Sequence, residues 1–214
     1  RKNVSAIIKA FNIIKAGNDL KDLKLVLAGR LGWLYQETLK TYEASPYKED
    51  IILWGSSLFC KAEKTGNETP WHQDGEYWPI KPLESLTVWL AIDEVTNENG
   101  PLQYIPGSHL DKKLVEHKTL DKKNITLNQT LKNVDEIKNK AKSVVLNPGM
   151  FSIHDVFLFH GSQANVSGKR RAGLTYRYMP ATSLFDHEGA KEIEKKIGYS
   201  LQRQLHLVSG TDRA

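Results

Sequence analysis

The chain of 214 residues is long enough to bury a full hydrophobic core, and its 40% hydrophobic and 26% charged content is that of an ordinary globular protein. A single cysteine, Cys60, excludes an internal disulfide framework and a cysteine-rich zinc site, so a metal here would take His and carboxylate ligands. The net charge of +5 is concentrated in residues 110–142, where nine lysines face five acids with no Arg, Phe, Tyr or Trp among them, a pattern that speaks against nucleic-acid binding.

Residues 3–16, "NVSAIIKAFNIIKA", set Ile7, Ile8, Phe11 and Ile14 at helical spacing, with Gly17 as a stop signal. A second helical stretch is predicted over 20–43. Arg1 stands where a natural chain has Met, and the helical pattern follows at once, so the sequence reads as starting downstream of its natural beginning. From residue 50 the texture changes to short runs rich in β-branched and aromatic residues, "DIILWGSSLFCK", "SLTVWLAID", "SVVLNPGMFSIHDVFLFHGS" and "AGLTYRYMP", separated by Gly, Pro and Asn. These predict antiparallel strands of a sandwich or barrel. Alternation in "SLTVWLAID" puts Leu86, Val88, Leu90 and Ile92 on one face and Thr87 and Trp89 on the other, toward a polar cavity. A helix is predicted around "NVDEIKNKAK" (133–142) and another at "GAKEIEKKIG" (189–198), with a final strand or loop after 201. The expected organisation is one domain over 1–214: a helical N-terminal region over 1–49, a strand core at 50–109 and 143–185, and a Lys-rich, lid-like insertion at 110–142. No apolar run approaches the roughly 20 residues of a membrane span and no secretion pattern opens the chain, so a soluble, cytoplasmic protein is expected.

The stretch "TPWHQDGEYWP" (69–79) holds the first chemical signal. In a strand, positions i and i+2 point to one side, so His72 and Asp74 can face one metal while Gln73 points away. A second imidazole is available from His160 in "FLFHGS", at the end of an apolar strand. Two His and one carboxylate on one face of an octahedral ion leave three positions open, the arrangement of non-haem Fe(II) oxygenases. By itself the HxD triplet is weak and more often marks a turn Asp with a half-exposed His. His154 is read as a structural residue at the start of its strand, a strand length from the metal; His109 as pinning the "IPGS" turn; His117, His187 and His206 as surface residues. Arg171 opens "RAGLTYRYMP" after the "VSGKR" turn, where its planar fork suits a carboxylate held by two hydrogen bonds. No acid in the neighbouring strands is an obvious partner, a bound dicarboxylate would supply one, and Ser162 shares the face of His160. An exposed turn arginine is the competing reading.

Taken together, "TPWHQDGEYWP", "TVWLAIDEVTNENGPLQYIPGSH" and "PGMFSIHDVFLFHGSQANVSGKRRAGLTYRYMP" resemble, in order, the motifs of the phytanoyl-CoA dioxygenase (PhyH) family of Fe(II)- and 2-oxoglutarate-dependent oxygenases. The resemblance covers roughly residues 50 to 214. "HGS" followed by Asn165, with an Arg eleven residues after the His, is its most specific feature. It implies a mostly β fold with flanking helices, a double-stranded β-helix or jelly roll. It implies iron ligation by His72, Asp74 and His160, and 2-oxoglutarate held through Arg171 and Ser162, with Trp89 and Thr87 lining the co-substrate. The implied reaction is hydroxylation of a small-molecule substrate by O2, with release of succinate and CO2. Halogenating relatives replace the carboxylate ligand by chloride, which Asp74 argues against here.

Gln73, Tyr77 and Trp78 are candidates for the substrate side of the pocket, with Trp78 equally suited to packing the barrel end. The Lys-rich segment is read either as a lid that draws an anionic substrate or as a solvated loop. A non-catalytic jelly-roll module that keeps the metal site is the alternative function. The substrate and the oligomeric state are not legible.

Overall fold

The computed structural model describes residues 4–16, 36, 40, 41, 43–45, 50–121, 123, 125–197 and 200–210. The chain divides into two compact units, Arg1–Asp50 and Ile51–Ala214. The division falls where the texture of the sequence changes from helical to strand-like.

In the first unit, α1 (Val4–Ala16) forms at the predicted apolar spacing and buries Ile8. The hydroxyl of Ser45 donates to Asn12 Oδ1 at 2.8 Å. Most of the helical stretch expected at 20–43 lies outside the described residues.

The second unit is built from antiparallel strands in two main sheets. The larger contains β1 (Ile51–Lys61), β4 (Leu86–Ala91), β9 (Phe151–Asp155), β11 (Arg171–Pro180) and β13 (His206–Ser209), in the order β13-β1-β11-β4-β9. The smaller contains β2 (Thr69–His72), β5 (Leu102–Tyr104), β8 (Lys142–Ser143) and β10 (His160–Ser162), in the order β2-β10-β5-β8. Two short pairings complete the set, β3 (Ile80–Lys81) with β12 (Leu184–Phe185) and β6 (His117–Thr119) with β7 (Gln129–Leu131). A helix, α2 (His187–Ile197), follows β12. This is a jelly roll, a double-stranded β-helix. Its sheet extends past residue 185, because β13 adds an edge strand to β1 at Ile51–Leu53.

The interior is graded along β11, whose alternate residues Arg171, Gly173, Thr175, Arg177 and Met179 share one side of the strand. The Met179 end belongs to an apolar cluster with Ile52, Trp54, Tyr77, Trp78, Ile80, Phe157 and Phe185. Trp54 and Trp78 meet edge-to-face with ring centroids 4.7 Å apart, and the Arg177 guanidinium lies over the Trp78 ring at 5.4 Å. The Arg171 end is cationic, so the same face of one strand runs from a buried guanidinium to an apolar cluster.

The segment 110–142 departs from expectation. Where a helix is predicted, Val134–Glu136 and Lys138–Lys140 form only single 3-10 turns. The stretch exposes most of its side chains and offers no continuous apolar face to bury, and an isolated helix that short is not self-supporting. The rest of the segment is stitched along β2: Thr126 N–H donates to Glu68 O at 3.1 Å, and the hydroxyl of Thr130 donates to Trp71 O at 3.1 Å. Lys132 and Lys138 are engaged in ion pairs with Glu116 and Asp135.

Candidate metal centre

Antiparallel pairing brings His72, the last residue of β2, directly opposite His160, the first residue of β10. Their rings lie 4.2 Å apart. Each ring is oriented by its own chain: His72 Nδ1 lies 2.8 Å from Pro70 O and His160 Nδ1 lies 2.9 Å from Leu158 O. A carbonyl only accepts, so both Nδ1 atoms carry the proton and both Nε2 lone pairs are free. Those lone pairs converge on one oxygen, Asp74 Oδ1, at 3.4 Å from His72 and 3.7 Å from His160. Asp74 reaches this point because the chain leaves β2 in a 3-10 turn, Asp74–Glu76.

The three ligand atoms lie within 4.8 Å of one another, and all three residues are buried. Burial and then the neighbouring His72 push His160 well below its ordinary value, which keeps the imidazole neutral and able to donate its lone pair. For Asp74 burial opposes ionisation, whereas positive charge on His160 and donated hydrogen bonds from His154 and His72 would outweigh it and hold the carboxyl well below the usual carboxylate range. Among the described residues its ion-pair partners are these three histidines, with no Lys or Arg. A buried carboxylate compensated only by neutral imidazoles calls for a cation, and two nitrogens plus one oxygen suit a divalent first-row metal.

Thr87 and His154 surround the other carboxylate oxygen. The sequence reading assigns Thr87 to the co-substrate; in the structure its hydroxyl donates to Asp74 Oδ2 at 3.1 Å. The strand-start position expected for His154 is overturned. It stands fourth in the edge strand β9, opposite Thr87, its Nε2 lies 3.6 Å from Asp74 Oδ2, and its ring lies 4.6 Å from that of His160. The chain between them reverses in a tight turn, in which Asp155 Oδ1 accepts from Phe157 N–H at 2.8 Å and carries β9 across to β10. Separation in sequence therefore misjudges separation in space.

Arg171 is buried at the opposite end of β11. Its Nε and Nη2 both donate to the carbonyl of Gly100, at 3.1 and 2.7 Å, and its guanidinium lies over the Trp89 ring at 5.3 Å. Gly100 adopts φ +76°, and a Cβ there would lie 2.5 Å from Gln163 O, so the turn that presents this carbonyl needs glycine. Burial lowers Arg171 from its ordinary value to about 10. Lys61, which the sequence reading passes over, pairs in register with Arg171 across β1 and β11. Its ammonium donates to Gln163 O, and burial, then Arg171, lower it to about 7, partly offset by Glu68. No carboxylate pairs with Arg171 among the described residues. Ser162 is buried on β10, one turn of the pleat from His160.

The three substrate candidates have different surroundings, and Trp78 takes the packing role that was its other reading. Gln73 is fully buried and uses both ends of its amide: Nε2 donates to Lys113 O at 2.8 Å and to Phe157 O at 2.9 Å, and Oε1 accepts from Val115 N–H at 2.8 Å. It clamps the Lys-rich segment to the metal turn, and its amide is taken up by these bonds. His117, expected at the surface, has a side chain only 1% exposed, and its Nε2 accepts from Gln73 N–H at 3.2 Å. Trp78 packs in the apolar cluster, and Tyr77 sets its ring edge-on to His72 at 6.0 Å.

Comparison with known proteins adds an independent line. Residues 29–173 match the family model for phytanoyl-CoA dioxygenase (PhyH). A phytanoyl-CoA dioxygenase domain-containing protein 1 homolog of Caenorhabditis briggsae is 30% identical over 145 residues, covering 65% of this chain and 50% of that protein. A probable alpha-ketoglutarate-dependent hypophosphite dioxygenase of Stutzerimonas stutzeri is 30% identical over 135 residues, covering 62% and 46%. The chain thus spans about half the length of these curated relatives. The crystal structure of EvdO2 from Micromonospora carbonacea var. aurantiaca complexed with 2-oxoglutarate aligns with a TM-score of 0.53 and 26% identity, over 64% of this chain and 54% of that one. Since the family match takes in well over half of the sequence and all three converging side chains, this chain belongs to the phytanoyl-CoA dioxygenase family.

Proposed function

We propose that the protein is an Fe(II)- and 2-oxoglutarate-dependent dioxygenase that hydroxylates a small-molecule substrate. The observation that carries this reading is the convergence of two tautomer-fixed Nε2 lone pairs and one carboxylate oxygen in a buried site. When bound, Fe(II) with 2-oxoglutarate and O2 supplies the oxidative chemistry, in which the keto acid loses CO2 to give succinate and one oxygen atom passes to the substrate.

The chain's own role is positioning. His72 and His160 offer nitrogen ligands whose orientation is set before the metal arrives, and Asp74 offers a charged oxygen. Lys61 and Arg171 form a buried cationic end with, among the described residues, no carboxylate on Arg171, which supports capture of the distal carboxylate of 2-oxoglutarate there. Ser162 and Trp89 flank that end, Trp89 by stacking beneath the guanidinium. The 2-oxoglutarate complex of EvdO2 supports the same co-substrate. For the substrate, the remaining lysines of 110–142 and the hypophosphite named for the S. stutzeri relative support an anionic small molecule.

The test is anaerobic titration of the purified protein with Fe(II) and 2-oxoglutarate. A visible metal-to-ligand charge-transfer band is expected, and it should vanish in Asp74→Ala and in His160→Ala. Persistence of the band in both variants would sink the ligand assignment.

A further inference from the structure

We infer that His154 is a positioning residue for the metal carboxylate: together with Thr87 it holds Oδ2 of Asp74, so that Oδ1 alone is turned toward the metal. The inference rests on the metal-site reading above and goes beyond the three ligands.

The two oxygens of Asp74 have different surroundings. Oδ1 faces His72 Nε2 at 3.4 Å and His160 Nε2 at 3.7 Å. Oδ2 faces the Thr87 hydroxyl at 3.1 Å and His154 Nε2 at 3.6 Å. Thr87 and His154 come from neighbouring strands of the large sheet and stand opposite each other in register, so a single cross-strand pair addresses one oxygen. His154 is no fourth ligand, since it stands outside the set of ligand atoms that converge within 4.8 Å.

The choice of histidine needs a reason. On β9 the residues Phe151 and Ile153 face outward and are half-exposed, whereas His154 is the buried inward residue. An apolar side chain would fill that slot without difficulty. Instead both ring nitrogens of His154 are buried with no hydrogen-bond partner, a costly arrangement that native proteins avoid. An acceptor close at hand for Nε2–H is Oδ2, at 3.6 Å, just beyond hydrogen-bond reach. Drawing Oδ1 onto a cation lets the carboxylate settle against this donor. A carboxylate with both oxygens free can chelate a metal in bidentate fashion and consume a position needed by the co-substrate; two donors on Oδ2 prevent that.

The experiment is titration of the metal-free protein with Co(II) alone, read by affinity and by the visible d–d absorption that reports coordination number. His154→Leu should weaken Co(II) binding by roughly 10- to 100-fold and change the spectrum. His154→Gln, which keeps an N–H donor of similar reach, should restore most of both. A folded His154→Leu protein with the affinity and spectrum of the wild type overturns the inference; should that variant not fold, His154→Met is held to the same two outcomes. Binding unaffected by Asp74→Ala, or no binding by the wild type, overturns the site reading and the inference with it, whereas normal wild-type binding with silent His154 variants overturns the positioning role alone.

Discussion

A lysine buried beside a guanidinium does not keep its ordinary proton affinity. Burial and Arg171 bring Lys61 from 10.5 to about 7, so between those values the unfolded chain holds a proton on this residue that the folded, ligand-free protein lacks. Stability rises with pH wherever the unfolded state binds more protons, and this group therefore stabilises the ligand-free fold increasingly from about pH 7 to about pH 10. Urea midpoints measured at the two ends of that window should rise more in the wild type than in Lys61→Met; parallel behaviour would contradict the burial argument. Saturating 2-oxoglutarate should flatten the difference, because a bound dicarboxylate returns the proton to Lys61. Arg171 was legible in the sequence because it opens a strand after a recognisable turn. Lys61 was not, since only the register of β1 against β11 discloses that it stands beside Arg171, and register is a property of pairing rather than of either strand.

At the scale of elements, the Lys-rich segment is joined to the metal turn through Gln73. Three buried or half-buried backbone groups, Lys113 O, Val115 N–H and Phe157 O, depend on one amide side chain. Gln73→Leu keeps the volume and removes every partner, with an expected loss of roughly 2 to 4 kcal/mol in denaturant unfolding. Limited proteolysis should then cut near residue 114 well before the strands are lost. An uncut segment with unchanged stability would show that the clamp is dispensable. The strands themselves were readable, because β-branched runs bounded by Gly, Pro and Asn leave little choice of conformation. The helix predicted at 133–142 failed for want of an apolar face, and the clamping role of Gln73 was not legible because HxD alternation says where a side chain points but not what is waiting there. His154 escaped for a related reason: reading along one strand gives no hint that the chain folds back on itself within six residues to set it beside His160.

Over the whole unit, Asp74 connects the two sheets. It leaves the small sheet just after β2, and its Oδ2 is gripped by β4 and approached by β9 of the large one. A metal taken up by His72, His160 and Asp74 therefore closes the barrel as well as arming it. A ligand that binds only the native state stabilises it by about 2.7 kcal/mol at a hundredfold excess over its dissociation constant. Thermal unfolding should accordingly move upward with Co(II) concentration in the wild type and stay put in Asp74→Ala; an identical upward shift in both would point to binding elsewhere. The jelly-roll architecture was legible from strand texture and motif order, while this mechanical role was not, since it depends on how far the turn after β2 reaches across the interior.

The imidazoles and the carboxylate are held by different means. Each imidazole is set by a carbonyl two residues earlier in the chain, Pro70 for His72 and Leu158 for His160. The carboxylate is set by residues from other strands. The nitrogen pair is thus a self-contained fitting that survives changes elsewhere, and the acidic corner is an interchangeable one: with Asp74 trimmed to alanine, Thr87 and His154 still face the place it vacates, and a small external anion such as formate is expected to be taken up in its stead.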